Sequence, residues 1–206
     1  MTSDGSEASQ AKETARLETF ADGVFAIAIT LLVLEIHIPA SGEDLSTGLL
    51  AQWPSFAAYV ISFLGIGVMW VSHHQMFALI RRTTPTFLFL NVLFLLPVAF
   101  IPYPTAVVAQ HIQEPESRTV AVLLYGGVST VVAVMFNVLW SYAIRAGLVA
   151  RGAGGSLARS AARGFRLGPF VYLGATLLAL VNPLLSMAVF AGLAIYWMLP
   201  GRIPTG

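Results

Sequence analysis

Cysteine is absent from this 206-residue sequence, and charge is scarce. Without thiols there is no disulfide, no cysteine nucleophile and no thiolate metal site, and the redox compartment leaves no mark. Lys, Arg, Asp and Glu make up 10% of the chain, against about 25% in ordinary soluble domains. Eleven basic and ten acidic side chains cannot coat a soluble protein of this size, which excludes a water-soluble monomer. A net charge of +1 gives no basic footprint for nucleic acid. What the chain has in excess is apolar surface: 57% hydrophobic residues and a mean hydropathy of +0.78.

The apolar residues fall into six runs, roughly 17–38, 53–80, 86–110, 119–146, 165–181 and 184–199. An α-helix crosses the hydrocarbon core with about 20 residues, range about 17–25. Four runs clear that length. The last two are marginal and separated only by Asn182-Pro183, which reads as a tight helical hairpin. The expected fold is an all-α integral membrane protein with six transmembrane helices in one domain, residues 16–202. Residues 1–15, rich in Ser, Glu, Ala and Thr, read as a disordered or frayed lead-in, and 203–206 as a short tail. A cleavable signal peptide is not expected, because the first run is long and follows a polar stretch.

Orientation follows from the bases, since cytoplasmic loops collect Lys and Arg. Lys12 and Arg16 precede the first run, and Arg81 and Arg82 lie between the second and third. Arg145, Arg151, Arg159, Arg163 and Arg166 surround the Gly/Ala-rich linker after the fourth, and Arg202 follows the sixth. The opposite loops hold Glu43, Asp44, Glu114 and Glu116, with Arg118 as their only base. Six spans with both termini cytoplasmic accommodate ten of the eleven bases.

The first run carries unusual chemistry. Asp22 lies six residues beyond Arg16, roughly 9 Å at 1.5 Å per residue. An ionisable group at that depth is costly unless it is paired or lines water. It reads either as an interfacial carboxylate, hydrated or capping a helix end, or as the hub of a buried hydrogen-bond network. Candidate partners share its depth. Trp70, His73, His74 and Phe77 recur on one face of the second span. His74 lies seven residues before Arg81, again roughly 10 Å deep. Asn91 sits at a similar level in the third span, and polar groups in lipid must find one another. The expected network joins Asp22, His73 or His74, and Asn91. A metal is not expected, because adjacent histidines diverge by about 100° on a helix and no third ligand is evident.

Further along the first run, Ile27, Leu31 and Leu34 form a stripe, with the Thr30 hydroxyl beside it. Such a row is ordinary helix packing or, in a ring of helices, an aliphatic constriction that gates by dewetting above a layer of hydroxyls. Periodicity leaves both open.

These residues are also recognisable. Arg16-x-x-x-Phe20-Ala21-Asp22-Gly23, followed by Val-Phe-Ala-Ile-Ala-Ile-Thr-Leu-Leu-Val-Leu-Glu, resembles the opening motif of the transmembrane protein 175 family, potassium channels of bacteria and of animal endosomes and lysosomes. The family motif has Ser where this chain has Ala21, which removes one hydroxyl from the network. Trp70-x-x-His73-His74-x-x-Phe77, and Asn91 with Phe100-Ile-Pro102-Tyr-Pro104-Thr105, also look like the family. The resemblance is strong over about residues 12–110 and is one of topology beyond. It implies a homotetramer in the bacterial plasma membrane, with one six-span repeat per chain and the first helix lining a central pore. It implies a constriction at Ile27, Leu31 and Leu34, a threonine layer at Thr30, and a motif of Arg16, Phe20, Asp22 and Gly23 holding that helix against Trp70, His73, His74 and Asn91. No Thr-Val-Gly-Tyr-Gly filter segment occurs, so selectivity weaker than a carbonyl filter's is expected.

The leading expectation is passive conduction of potassium, and with it other monovalent cations, with no cofactor. Glu35 at the outer end of the first span is either a cation-concentrating carboxylate at the pore mouth or a plain interfacial charge. The alternatives are a proton-coupled transporter or a proton-conducting channel using Asp22 and His74. A membrane-embedded hydrolase is disfavoured, since neither histidine has an evident serine or second carboxylate at its depth.

Overall fold

The computed structural model describes residues 2–42, 44–149 and 157–199. Among them all regular structure is helical. In chain order come α1 (Thr2–Leu31), a 3₁₀ turn (Leu32–Glu35), α2 (Leu45–Ala51), α3 (Trp53–Leu79) and α4 (Pro85–Phe100). Then follow α5 (Pro102–His111), α6 (Arg118–Arg145), α7 (Leu157–Leu178) and α8 (Pro183–Met198). Four stretches are long and apolar enough to cross a membrane: Lys12–Glu35, Trp53–Leu79, Pro85–His111 and Arg118–Arg145. Leu167–Leu178 and Pro183–Met198 are shorter apolar helices. They form the expected hairpin, in which the Ser186 hydroxyl donates to the Ala175 carbonyl at 2.6 Å.

Local signals explain most boundaries. Thr84 and Asn182 cap α4 and α8, their side-chain oxygens accepting the Phe87 N–H at 3.2 Å and the Leu185 N–H at 3.0 Å. Pro85 and Pro183 follow, each at a first helical position where a missing N–H costs nothing. Asp44 caps α2, with Oδ2 accepting from the Thr47 N–H at 2.9 Å and from the Ser46 and Thr47 hydroxyls. Those hydroxyls, then the backbone N–H, hold the Asp44 carboxyl down at about 2. The α6 helix ends at Gly147, whose φ of +64° is the left-handed conformation that glycine takes without steric penalty.

The helices differ from the apolar runs at three places. The first helix begins at Thr2, ahead of the first apolar run, and the Ala, Glu, Gln and Lys of that stretch are good helix formers. The third span divides at Ile101 into α4 and α5. Pro102 has no N–H to continue the ladder, yet Ile101 keeps helical angles (φ −52°, ψ −38°), so the chain runs on as one broken span. The loop between the first two spans contains α2. Glu43, Arg151, Arg202 and the tail 203–206 lie outside the described residues.

Two apolar cores hold the helices together. One is shared by α1, α3, α4 and α6 around Phe25, Phe87, Phe94 and Leu139. The other joins α3, α5, α6, α7 and α8 around Val122, Tyr125, Ala179 and Phe190. Hydroxyls link helices within these apolar cores. Ser62 bonds Thr105 at 2.8 Å and donates to the Tyr125 hydroxyl at 3.3 Å, joining α3, α5 and α6. Thr130 and Thr176 meet at 3.1 Å between α6 and α7. There Gly126 permits close approach, since a Cβ would lie 2.5 Å from the Thr176 hydroxyl. Small residues and hydroxyls are the usual means by which helices associate in lipid.

Candidate functional site

The first helix presents two distinct surfaces. Leu17, Ala21, Phe25, Ala28 and Leu32 are buried; their spacing of three or four residues puts them on one side, packed within the α3–α4–α6 core. Phe20, Gly23, Ile27, Thr30 and Leu34 form a second stripe, with Leu31 beside it, and all six are exposed in the single chain. Ile27 and Leu34, at 61% and 70% exposure, are far too open for core residues. The 3-4-3-4 spacing of this stripe is that of a coiled-coil seam, about 130° around the helix from the buried row. The Thr30 hydroxyl donates to the Ile27 carbonyl at 2.9 Å, leaving its lone pairs outward. Glu35, in the 3₁₀ turn that ends this helix, is half-buried.

Between these surfaces runs a polar ladder to α3. Trp70 Nε1 donates to Asp22 Oδ1 at 2.8 Å, and His74 Nδ1 donates to Glu18 Oε1 at 2.8 Å. The pairs 22–70 and 18–74 step four residues up one helix and four down the other, the register of antiparallel helices. The Trp70 and His74 rings stack at 6.0 Å, closing the ladder on the α3 side.

A separate buried centre lies behind it. His73 is fully buried, and its Nε2–H donates to Asn91 Oδ1 at 2.9 Å. Its ring stacks on Phe77 at 4.4 Å and on Phe94 at 5.5 Å, and is tilted against Phe25 at 5.5 Å. One imidazole thus touches α1, α3 and α4 together. Among the described residues, His73 Nδ1 and Asn91 Nδ2 have no hydrogen-bond partner.

The expected single network therefore separates in two. Asn91 joins His73 rather than Asp22. His74, which sequence depth placed beside Asp22 and Asn91, turns outward to Glu18, a residue that sequence reasoning missed. Of the set expected to be buried, only His73 and Asn91 are fully so. Asp22 is half-buried, whereas Arg16, Phe20, Gly23, Trp70 and His74 are exposed in the single chain. The cause is rotation: neighbouring residues point about 100° apart, and depth carries no information about that angle. A signal for Glu18 existed, since Glu18 and Asp22 share one helix face at i, i+4 just as Trp70 and His74 do. Among the described residues no three His, Asp or Glu side chains gather as a metal site would require.

The weight of the ladder can be measured. A hydrogen bond to a carboxylate contributes about 1.5–3 kcal/mol when buried; with Trp70 41% exposed, about 1 kcal/mol is the appropriate figure. Trp70→Phe is expected to lower the melting midpoint in detergent by roughly 2–4 °C. A midpoint unchanged by loss of the indole N–H would mean that this rung adds nothing to helix pairing.

Comparison with known proteins places this arrangement. Residues 16–102 match the family described as endosomal/lysosomal potassium channel TMEM175. A potassium channel of Chamaesiphon minutus is 43% identical over 198 residues, covering 94% of this chain and 97% of that one. A potassium channel of Streptomyces collinus is 44% identical, covering 90% and 91%. The crystal structure of a lysosomal potassium-selective channel TMEM175 homolog from Chamaesiphon minutus superposes with a TM-score of 0.80 at 41% identity, covering 90% of this chain and 96% of that one.

Proposed function

The chain belongs to the endosomal/lysosomal potassium channel TMEM175 family, and from that premise we propose that it is a passive, potassium-preferring cation channel of the bacterial plasma membrane. In this reading 16–202 form one six-span domain with both termini cytoplasmic. Four copies place α1 around a central axis. The observation that carries the reading is the uncovered seam of α1: Phe20, Gly23, Ile27, Thr30 and Leu34 follow a coiled-coil spacing on a stripe that the single chain leaves open. A ring of four such seams stacks aliphatic layers at Ile27, Leu31 and Leu34 around a hydroxyl layer at Thr30. Glu35 stands at the outer mouth, where four carboxylates concentrate cations. The Asp22–Trp70 and Glu18–His74 rungs and the His73 centre brace the helix from behind, so that the seam is held rather than free to turn.

The test is a potassium-gradient flux assay on purified protein in liposomes, with sodium and proton gradients as controls. Potassium flux without added substrate is expected, with sodium slower. No cation flux under any gradient would overturn the channel reading, and proton flux alone would favour proton conduction. Thr30→Ala is expected to change the potassium/sodium ratio by about 2–10-fold, the value of one hydrogen-bond-strength contact of about 0.5–1.5 kcal/mol. An unchanged ratio would remove Thr30 from the ion path. A proton relay through Asp22 and His74 would need the two joined; among the described residues each bonds to a different partner.

A further inference from the structure

The end of the molecule opposite Asp44 and Glu114 carries a feature that conduction does not use. The 80–84 loop is tied to the segment after α6: the Arg81 N–H donates to the Leu148 carbonyl at 2.9 Å, and the Arg82 guanidinium to the Gly147 carbonyl at 3.0 Å. Arg145, in the last turn of α6, stands beside this junction, exposed. Among the described residues no carboxylate pairs with it. Below Arg145 a groove of about 430 Å³ opens between α4, α6 and α7. Ser141 and Tyr142 line it on the turn next to Arg145, and Leu90, Val134, Asn137, Val138 and Pro169 line the remainder, the Asn137 amide donating to its own helix at the Ala133 carbonyl, 3.1 Å away.

The order of these groups along the groove is that of a phospholipid. A guanidinium at the interface offers a planar fork for phosphate. Two hydroxyl-bearing side chains come next, and a wall that is apolar except for Asn137 follows. From Arg145 to Val134 is eleven residues of helix, roughly 16 Å at 1.5 Å per residue; one leaflet of hydrocarbon is about half of 30 Å. Basic pockets between helices at the cytoplasmic face suit anionic headgroups, because that leaflet carries the negative surface potential. We infer that this groove binds one anionic phospholipid per chain, its phosphate on Arg145 and one acyl chain along Val138, Val134 and Leu90. A zwitterionic lipid brings a compensating cation to the same guanidinium and binds more weakly. The inference rests on the membrane placement given above but not on ion conduction.

The experiment is native mass spectrometry of the detergent-purified full chain titrated with phosphatidylglycerol, phosphatidylcholine or inorganic phosphate. The expected result is saturable retention of one phosphatidylglycerol per chain, about fivefold or more over phosphatidylcholine, with no retention of inorganic phosphate. Arg145→Gln should abolish the preference, and Arg145→Lys should keep it in part. Val138→Trp, which fills the groove and leaves the charge, should lose the lipid. A structural role for Arg145 at the helix C-terminus would alter melting without altering lipid preference, so melting curves of each variant are recorded beside the lipid counts. Equal retention of phosphatidylcholine and phosphatidylglycerol by wild type, or undiminished phosphatidylglycerol on folded Arg145→Gln, would overturn the site. So would retention of inorganic phosphate alone, which points to an anion site. Because the readout needs no current, absence of flux in liposomes would remove the channel and leave this lipid count standing.

Discussion

Leu31→Asn raises potassium conductance or open probability in single-channel recordings by about tenfold, and Ile27→Asn does the same. In the proposed pore each replacement changes four side chains at one level. A narrow ring of branched aliphatic groups expels water, and an ion cannot pass without its hydration. Each methylene withdrawn from water is worth about 0.8 kcal/mol, so four apolar chains at one level impose a hydration penalty of several kcal/mol. Carboxamides hydrogen-bond water and remove much of it, and only about 1.4 kcal/mol off the barrier is needed for a factor of ten. The effect separates cleanly from folding. Leu31 and Ile27 are 40% and 61% exposed in the single chain, and substitutions at such positions ordinarily shift stability by no more than about 0.5 kcal/mol. Unchanged conductance and open probability in both variants would mean that the seam packs against another surface and that the constriction lies elsewhere.

The largest stability effect is expected at His73. His73→Ala removes a ring that contacts Phe25, Phe77 and Phe94 and leaves Asn91 Oδ1 without its donor. Truncating a buried aromatic ring to alanine costs about 3–5 kcal/mol. The hydrogen bond itself adds little, because interhelical bonds in membrane proteins average about 0.6 kcal/mol. Packing therefore dominates, and this fixes the order of a variant series. His73→Ala should lower the melting midpoint in detergent by roughly 10 °C, taking about 2–4 °C per kcal/mol. Asn91→Leu, which removes the polar partner while conserving volume, should cost no more than a few degrees. Equal losses in the two variants would show the hydrogen bond, not the stacked rings, to be the stronger element.

Much of the architecture is legible in the chain. The runs 53–80 and 119–146 fall within one residue of α3 and α6, because long apolar runs bounded by polar breaks have only one helical solution in lipid. The hairpin at Asn182-Pro183 is equally readable, since the cap and the N1 proline are local signals. The break at Ile101 could have been anticipated from Pro102 and Pro104, but whether successive prolines end a span or only divide it depends on what packs around them. The α2 helix is too short to announce itself against a loop. The site was less readable. Trp70, His73, His74 and Phe77, expected on one face of α3, divide into an exposed pair, Trp70 and His74, and a buried pair, His73 and Phe77, because which residue each meets depends on how α1 and α4 are rotated against α3.

The amino-acid sequence alone determined the all-helical membrane class, the sorting of bases from acids along the chain, and the motifs that tie the chain to its family. All of these are one-dimensional properties, set by residue type and by distance along a helix at 1.5 Å per residue. Only the tertiary structure decided the partners: Trp70 for Asp22, Asn91 for His73, Glu18 for His74. It alone left the Ile27, Thr30 and Leu34 stripe open while burying Ala21 and Phe25. Rotation about a helix axis and the choice of neighbouring helix come from packing the large rings and small gaps of several helices at once, and no single span encodes that fit.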